Sequence, residues 1–254
     1  MEQSKIIDMK DSFTDKSNKD ELKYRNEEAL NDERTNTIDK WKQRVMNGRL
    51  SIIPQLKEKG ITFHGNILEL GAGMCWLSSE LSKIKEVNEI YALEFSKVLL
   101  KEVAPHIMEF LNADTSKITR VIGDFYNLDF EKDKFDYVVF DAALHHVEHL
   151  DIILSQVEKV LKKDGKIIAI REPMLPDWRK NERESFGKAD KEHGVTEMIF
   201  TMDEWKKMFN DKGYNIDFIS YRPTSKPLHK LIEYFPFNLL NKKLFGNYIF
   251  VMRK

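Results

Sequence analysis

The chain has 254 residues, with 41 Lys+Arg against 42 Asp+Glu and a formal net charge of −1, which argues against a protein built to hold a nucleic-acid backbone. Hydrophobic residues make up 41% and aromatics 11%, enough for a sizeable core, and the length suits one large α/β domain, or one domain plus a small appendage. The single cysteine, Cys75, excludes an intrachain disulfide and any multi-cysteine zinc site.

The start, Met1-Glu2-Gln3-Ser4-Lys5, lacks the basic-then-apolar pattern of a signal peptide, and no run of about 18 apolar residues offers a bilayer span. A soluble, cytoplasmic protein is expected. Residues 1–50 read as a charged extension, frayed over the first 20 residues. A helix with a thin apolar stripe (Leu22, Leu30, Ile38, Trp41, Val45) then runs to about Met46. Such a stripe needs a surface to lie on, and Trp41 reads as a packing anchor there.

From residue 61 the pattern changes, and residues 51–254 read as one α/β domain. Short apolar runs predict strands at Asn66–Leu70, Glu89–Leu93, Ile118–Ile122, Tyr137–Phe140, Lys166–Ile170, Asn215–Tyr221 and Tyr248–Met252. Helical patterns fall near 75–85, 96–112 and 150–162, with Gly165 placed to stop the last. Thr201-Met202-Asp203-Glu204 predicts a capping box opening a further helix to about Asn210. Strands apolar on both faces, alternating with helices, predict a doubly wound, mostly parallel sheet with helices on both sides. Two long connections, about 173–200 and 222–245, interrupt this pattern where lids tend to sit.

Four motifs carry the chemistry. Ile67-Leu68-Glu69-Leu70-Gly71-Ala72-Gly73-Met74-Cys75-Trp76 is a strand, a Gly-x-Gly turn and a helix start. Two glycines let a ligand approach the backbone, and the helix end adds N–H groups. The third glycine of a dinucleotide fingerprint would fall at Trp76, which counts against NAD or FAD. Glu94 ends the second strand, 23 residues after Gly71, where an acid can accept both ribose hydroxyls of a nucleoside. Gly123-Asp124-Phe125 places an acid beyond the third strand, able to accept from an adenine amino group, with Phe125 beside the ring. Asp141-Ala142-Ala143-Leu144-His145-His146 runs off the carboxyl end of the fourth strand, so Asp141 and both histidines should face a reacting centre.

The order Glu69-Leu-Gly-Ala-Gly73, Glu94, Gly123-Asp124, Asp141-Ala-Ala-Leu-His-His146 and Leu161-Lys-Lys-Asp-Gly165 resembles the class I S-adenosylmethionine-dependent methyltransferases over roughly residues 60–221 plus the last strand. The resemblance implies a seven-stranded sheet whose last strand inserts antiparallel beside the sixth. It implies S-adenosyl-L-methionine as cofactor and S-adenosyl-L-homocysteine as product. Glu69, Gly71 and Gly73 would contact the methionine part, Glu94 the ribose, Asp124 and Phe125 the adenine, and Asp141 and Ala142 the methyl-donor side. Ala72, Trp76 and Phe95 belong to the same motifs and are counted with this cofactor set.

Methyl transfer from a sulfonium needs alignment first, and a base only if the acceptor is a hydroxyl or protonated amine. His146 and His145 are the base candidates, because histidine titrates near neutrality. Glu172, after the fifth strand, is a third candidate for binding or deprotonating the acceptor, and His193, Thr196 and Glu197 for a lid contact. His145 and His149 share a helical face, but the His-Glu-x-x-His order is absent, so no metal is expected. The expected partner is a small molecule receiving the methyl group on O or N, such as a metabolite or surface-carbohydrate precursor. No transmembrane segment is expected. The basic, aromatic stretch 222–245 allows peripheral membrane contact. A nicotinamide-dependent oxidoreductase and a catalytically inactive, methyltransferase-like binding subunit stand as alternatives.

Overall fold

The computed structural model describes residues 4–9, 37–185, 198–220 and 248–254. Its centre is an eight-stranded sheet. The strands are β1 (Lys5–Asp8), β2 (Gly65–Leu70), β3 (Val87–Glu94), β4 (Ile118–Ile122), β5 (Phe135–Asp141), β6 (Leu161–Glu172), β9 (Asn215–Ser220) and β10 (Tyr248–Arg253), in the order β1-β4-β3-β2-β5-β6-β10-β9. Two short strands, β7 (Met174–Leu175) and β8 (Phe200–Thr201), pair parallel with each other at the two ends of the 173–200 connection. All main-sheet pairs are parallel except those of β10, which lies antiparallel between β6 and β9.

Strand residues alternate between two apolar layers, as a pleated strand buried on both faces must. Ile67, Tyr137, Val139, Ile168, Ile170, Ile249 and Val251 face one layer. That layer holds α1 (Ile38–Met46), α2 (Ile52–Glu58), α3 (Trp76–Ser82), and α4 (Ala104–Phe110) with the π-helical turn Leu99–Val103 that leads into it. Leu68, Leu70, Val138, Phe140, Ile167, Ala169, Phe250 and Met252 face the other. That layer holds α5 (Leu150–Val160) and α6 (Met202–Asn210). Glu69, Glu94 and Asp141 fall by this alternation on the α1–α4 side. The capping box is present, with Thr201 Oγ1 accepting from Glu204 N and Glu204 Oε2 accepting from Thr201 N.

Two expectations change. The sheet has eight strands where seven are implied, because Lys5–Asp8 adds itself, parallel, to the open edge of β4. The region expected to be frayed therefore contributes a strand. Buried Arg120 secures it, donating from Nη2 to Ser4 O at 3.1 Å and from Nη1 to Leu100 O at 2.5 Å. Four residues are too few to display a period, so pairing with an unpaired edge decides the matter. Second, α5 stops at Val160, before Gly165, because Leu161 is already extended (φ −80°, ψ 137°). Gly165 instead permits a close turn, since a Cβ there would meet Leu161 Cγ at 2.6 Å. The N-terminal helix lies on a surface as its apolar stripe requires: Trp41 and Val45 of α1 are buried in the α1–α4 layer. Residues 10–36, which include the first part of that expected helix, lie outside the described residues.

Candidate active site

The first half of the site is backbone. After Leu70 the chain turns beneath the start of α3, and Gly71 N and Ala72 N both donate to Leu93 O at 2.9 Å. Gly71 has φ +74°, and a Cβ on it would stand 2.7 Å from Ala143 Cβ and 3.2 Å from Phe125 Cζ. Only glycine meets both demands. Gly73 has φ +52°, and nothing lies within 4 Å of an added Cβ, so the backbone here opens onto free space. Its N–H donates to Glu94 Oε2 at 2.8 Å, while Ser96 N donates to Oε1 at 2.9 Å. Glu94 thus fixes the turn from the end of β3. Cys75 holds the left-handed position (φ +58°) before α3; its thiol is buried, and burial pushes its pKa up, leaving it unreactive.

The second half is built from side chains at the ends of β5 and β6. Asp141 accepts from Trp76 Nε1 at 2.5 Å and from Arg171 Nε and Nη2 at 2.6 and 2.7 Å, with Arg49 Nη1 at 4.0 Å. Burial alone would raise the Asp141 pKa, but the Arg171 charge and its hydrogen bonds outweigh burial and hold the carboxyl below its ordinary value. Ile170 faces the α1–α4 layer, so an extended Arg171 would point away from Asp141. Its φ of +59° breaks the alternation. Ala142, at the end of β5, is left-handed too, at φ +51°. Non-glycine residues hold this conformation only where surrounding bonds impose it, and such residues gather at functional sites.

Glu172 does not reach the cavity. Its fully buried carboxylate accepts from the N–H groups of Ala143 (3.2 Å), Leu144 (3.1 Å) and His145 (3.1 Å), and pairs with His145 Nδ1 at 2.7 Å. It therefore organises the 3₁₀ turn Leu144–His146 and is occupied by protein donors, not placed to deprotonate a substrate. His145 turns inward with it, while His146, ring centroid 4.0 Å from that of His145, faces the cavity. Glu69 is likewise fully buried, away from the cavity, and accepts from Ser78 Oγ on α3. Burial raises its pKa to about 8. Asp124, also off the wall, accepts from Tyr126 N at 2.9 Å, and burial raises its pKa.

The cavity, of about 160 Å³, opens at the carboxyl ends of β2, β3 and β5, where the strand order reverses. Of the residues expected from sequence, Gly71, Ala72, Gly73, Trp76, Glu94, Phe95, Phe125, Asp141, Ala142 and His146 line it. Glu69, Asp124, His145 and Glu172 stand behind that wall. Sequence reasoning did not assign the cavity lining contributed by Trp41, Arg44, Arg49, Met74, Leu99, Ala143 and Arg171. Two signals could have found part of it: Trp41 and Arg44 are three apart on one helix, and Arg171 follows the same strand-end rule that selected Asp141. His193, Thr196, Glu197 and the stretch 222–245 lie outside the described residues. Among the described residues, no group of three or more His, Cys, Asp or Glu could hold a metal ion.

The turn fits an adenosyl–amino acid cofactor. The space beside Gly73 is open where an added Cβ would intrude, and Glu94, Phe125 and Asp141 line the same cavity.

Comparison with known proteins accords with this geometry. A family model described as a methyltransferase domain matches residues 61–213. A demethylmenaquinone methyltransferase of Staphylococcus saprophyticus is 27% identical over 142 residues, covering 55% of this chain and 54% of that one. One of Listeria welshimeri is 24% identical over 183 residues, 65% and 76% of the two chains. This chain thus spans about half the length of the Staphylococcus relative. The solved geranyl diphosphate C-methyltransferase from Streptomyces coelicolor shares the fold at a TM-score of 0.65 and 12% identity, over 94% of this chain and 97% of that one. The chain belongs to the methyltransferase-domain family, and within it to the class I S-adenosylmethionine-dependent methyltransferases.

Proposed function

We propose that this protein transfers the methyl group of S-adenosyl-L-methionine to an oxygen or nitrogen of a small-molecule acceptor, with His146 as the base. The observation that carries the reading is the single wall formed by Gly71–Gly73, Glu94, Phe125, Asp141 and His146. The sulfonium of the bound cofactor supplies an activated methyl group and a leaving group that needs no acid. The protein supplies the rest. The Gly71 and Gly73 backbone admits the methionine part, the carboxylate of Glu94 offers acceptors to the ribose, and Phe125 flanks the base. Good alignment can contribute about 7–11 kcal/mol to lowering the barrier. Left-handed Ala142 and Arg171 and the Asp141–Arg171–Trp76 network fix that geometry before the acceptor arrives. Glu172 acts on the reaction only through the turn that carries His146.

The relatives named for demethylmenaquinone support a small-molecule acceptor, as does the near-neutral charge. A cytoplasmic location is part of the same proposal; among the described residues no helix is long and apolar enough to cross a membrane. The family match disfavours the nicotinamide alternative. The test is calorimetric titration with S-adenosylhomocysteine and, in parallel, NADH. Micromolar binding of the first alone is expected; binding of NADH alone would overturn the reading. Once an acceptor is found, His146→Ala should lower turnover about 100-fold or more while leaving cofactor affinity in place, because general-base catalysis contributes about 10²–10⁴-fold. Full turnover in that variant would remove the base assignment. Loss of turnover in every acceptor screen, with cofactor binding intact, would favour the inactive binding subunit.

A further inference from the structure

We propose that Arg120 and strand β1 are positioning elements for the cofactor: docking of the N-terminal strand holds the Glu94–Leu99 wall of the cavity in place, so strand docking and cofactor binding favour each other. The inference rests on reading the cavity as an S-adenosylmethionine site. A hydrogen-bonded path joins Glu94 to β1. Glu94 Oε1 accepts from Ser96 N at 2.9 Å. Ser96 then accepts twice from the start of the π-helical turn, at Oγ from Leu99 N and at its carbonyl from Leu100 N, both at 3.2 Å. Leu100 O accepts from Arg120 Nη1, and Nη2 of the same guanidinium donates to Ser4 O beside β1. Ile118 and Ile122 of β4 face the α1–α4 layer, so Arg120 between them shares that face, where it is buried. A buried donor that loses its acceptor is costly, so one guanidinium ties the strand to the turn. Glu94, Phe95 and Leu99, along this stretch, line the cavity.

The other end of β1 braces the next loop. Met9 N donates to Ile122 O at 2.8 Å, and Met9 Sδ and Cβ stand 3.3 and 3.5 Å from where a Cβ on Gly123 would lie, two residues before Phe125 of the cavity wall. Asp8 Oδ2 pairs with Lys97 Nζ at 3.2 Å, two residues after Phe95; both side chains are half-exposed, so this pair adds little by itself. A four-residue strand at the sheet edge, paired on one side, opens more readily than the sheet centre. It is therefore an element with two states, docked and open. When it opens, Arg120 loses Ser4 O and meets water, and its hold on Leu100 O relaxes. A cofactor that needs the Glu94–Leu99 wall in place binds the docked state better, and by reciprocity its binding favours docking.

The test uses the full chain. Binding of S-adenosylhomocysteine is measured first by calorimetry, and amide hydrogen exchange is then followed with and without saturating ligand. Exchange at Met9 N–H should slow about 5–150-fold, the usual range of coupling between two sites, while exchange in β9 at the opposite edge of the sheet stays as it was. Arg120→Met keeps the apolar stem and removes the fork; it should weaken S-adenosylhomocysteine by a similar factor and abolish the ligand's effect at Met9. Met9→Pro removes the bond to Ile122 without touching the buried arginine and should weaken binding in the same direction, so it decides the matter if Arg120→Met does not fold. Phe209→Leu, a core substitution on α6 in the other layer, separates stability from positioning: it should lower the denaturant midpoint and leave ligand affinity unchanged. No slowing at Met9, equal slowing at both edges, unchanged affinity in the β1 variants, or equal weakening in Phe209→Leu would overturn the inference and leave the cofactor reading standing. Failure of S-adenosylhomocysteine to bind in the first step would overturn both.

Discussion

The two halves of the cavity are made differently. At the ends of β2 and β3 the wall is backbone, with Gly71 and Gly73 in left-handed conformations and one carboxylate, Glu94, collecting N–H groups. At the ends of β5 and β6 the wall is a web of charged side chains in which Asp141 gathers Trp76 and Arg171 while Glu172 gathers the turn before His146. The first half is shape, and the second is electrostatics. The first should fail through steric intrusion, and the second through uncompensated buried charge.

The largest expected effect is in the second half. Asp141→Ala leaves Arg171 and the Trp76 N–H facing each other without their shared acceptor, in a pair whose Asp141 side chain is 5% exposed. Breaking such a pair costs about 3–5 kcal/mol, to be read as a lower denaturant midpoint at unchanged slope. A loss under about 1 kcal/mol would mean that the network is solvated and the contrast between the halves is false. Next comes Gly71→Ala, where left-handed strain and overpacking against Ala143 together amount to about 2–4 kcal/mol. Gly73→Ala meets no protein atom, so it should cost cofactor affinity more than stability. Comparing the two by calorimetry and denaturation separates the turn's two roles.

Glu172→Gln sharpens the comparison from the other side. The amide can still accept from the backbone but presents a donor where His145 Nδ1 now pairs, for an expected loss of about 1–3 kcal/mol. Changed His145 and His146 ring signals in NMR spectra should accompany it. Unaltered spectra would show that the carboxylate does not organise this turn. The last effect is a slope. Glu69, with its pKa raised to about 8, binds a proton in the folded state that it releases near its ordinary value of 4.5 when unfolded. Stability should therefore fall as pH rises from about 4.5 to 8, and Glu69→Gln should flatten that fall in midpoints measured at pH 5 and 8.5. A parallel pH dependence in the variant would assign the slope elsewhere.

The same division explains what was legible in the sequence. A glycine turn is a local property, so Gly71, Gly73 and Glu94 could be placed from spacing alone, and the strands they join follow from apolar runs. Asp141 was legible because it ends a strand at the carboxyl edge. Glu172 was misjudged because its partners are 27 to 29 residues away, and no local pattern shows that three N–H groups of another loop fill its carboxylate. Arg171 stands at a strand end as Asp141 does, but its pairing with Asp141 was hidden, since only the left-handed turn brings the two together. Trp41 was read as a packing anchor, and it is one, but the burial that makes it so also places it on the cavity wall. Strand β1 was missed because edge pairing, not periodicity, creates it.

The central claim is that both halves close on one cofactor. A crystal structure of the protein grown with S-adenosylhomocysteine tests it most directly. The account predicts the ligand along the ends of β2, β3 and β5, with its ribose at Glu94, its base at Phe125, and its amino-acid part between the Gly71–Gly73 turn and Asp141. Density elsewhere, or a ligand in this cavity that leaves Glu94 and the glycine turn untouched, would contradict it.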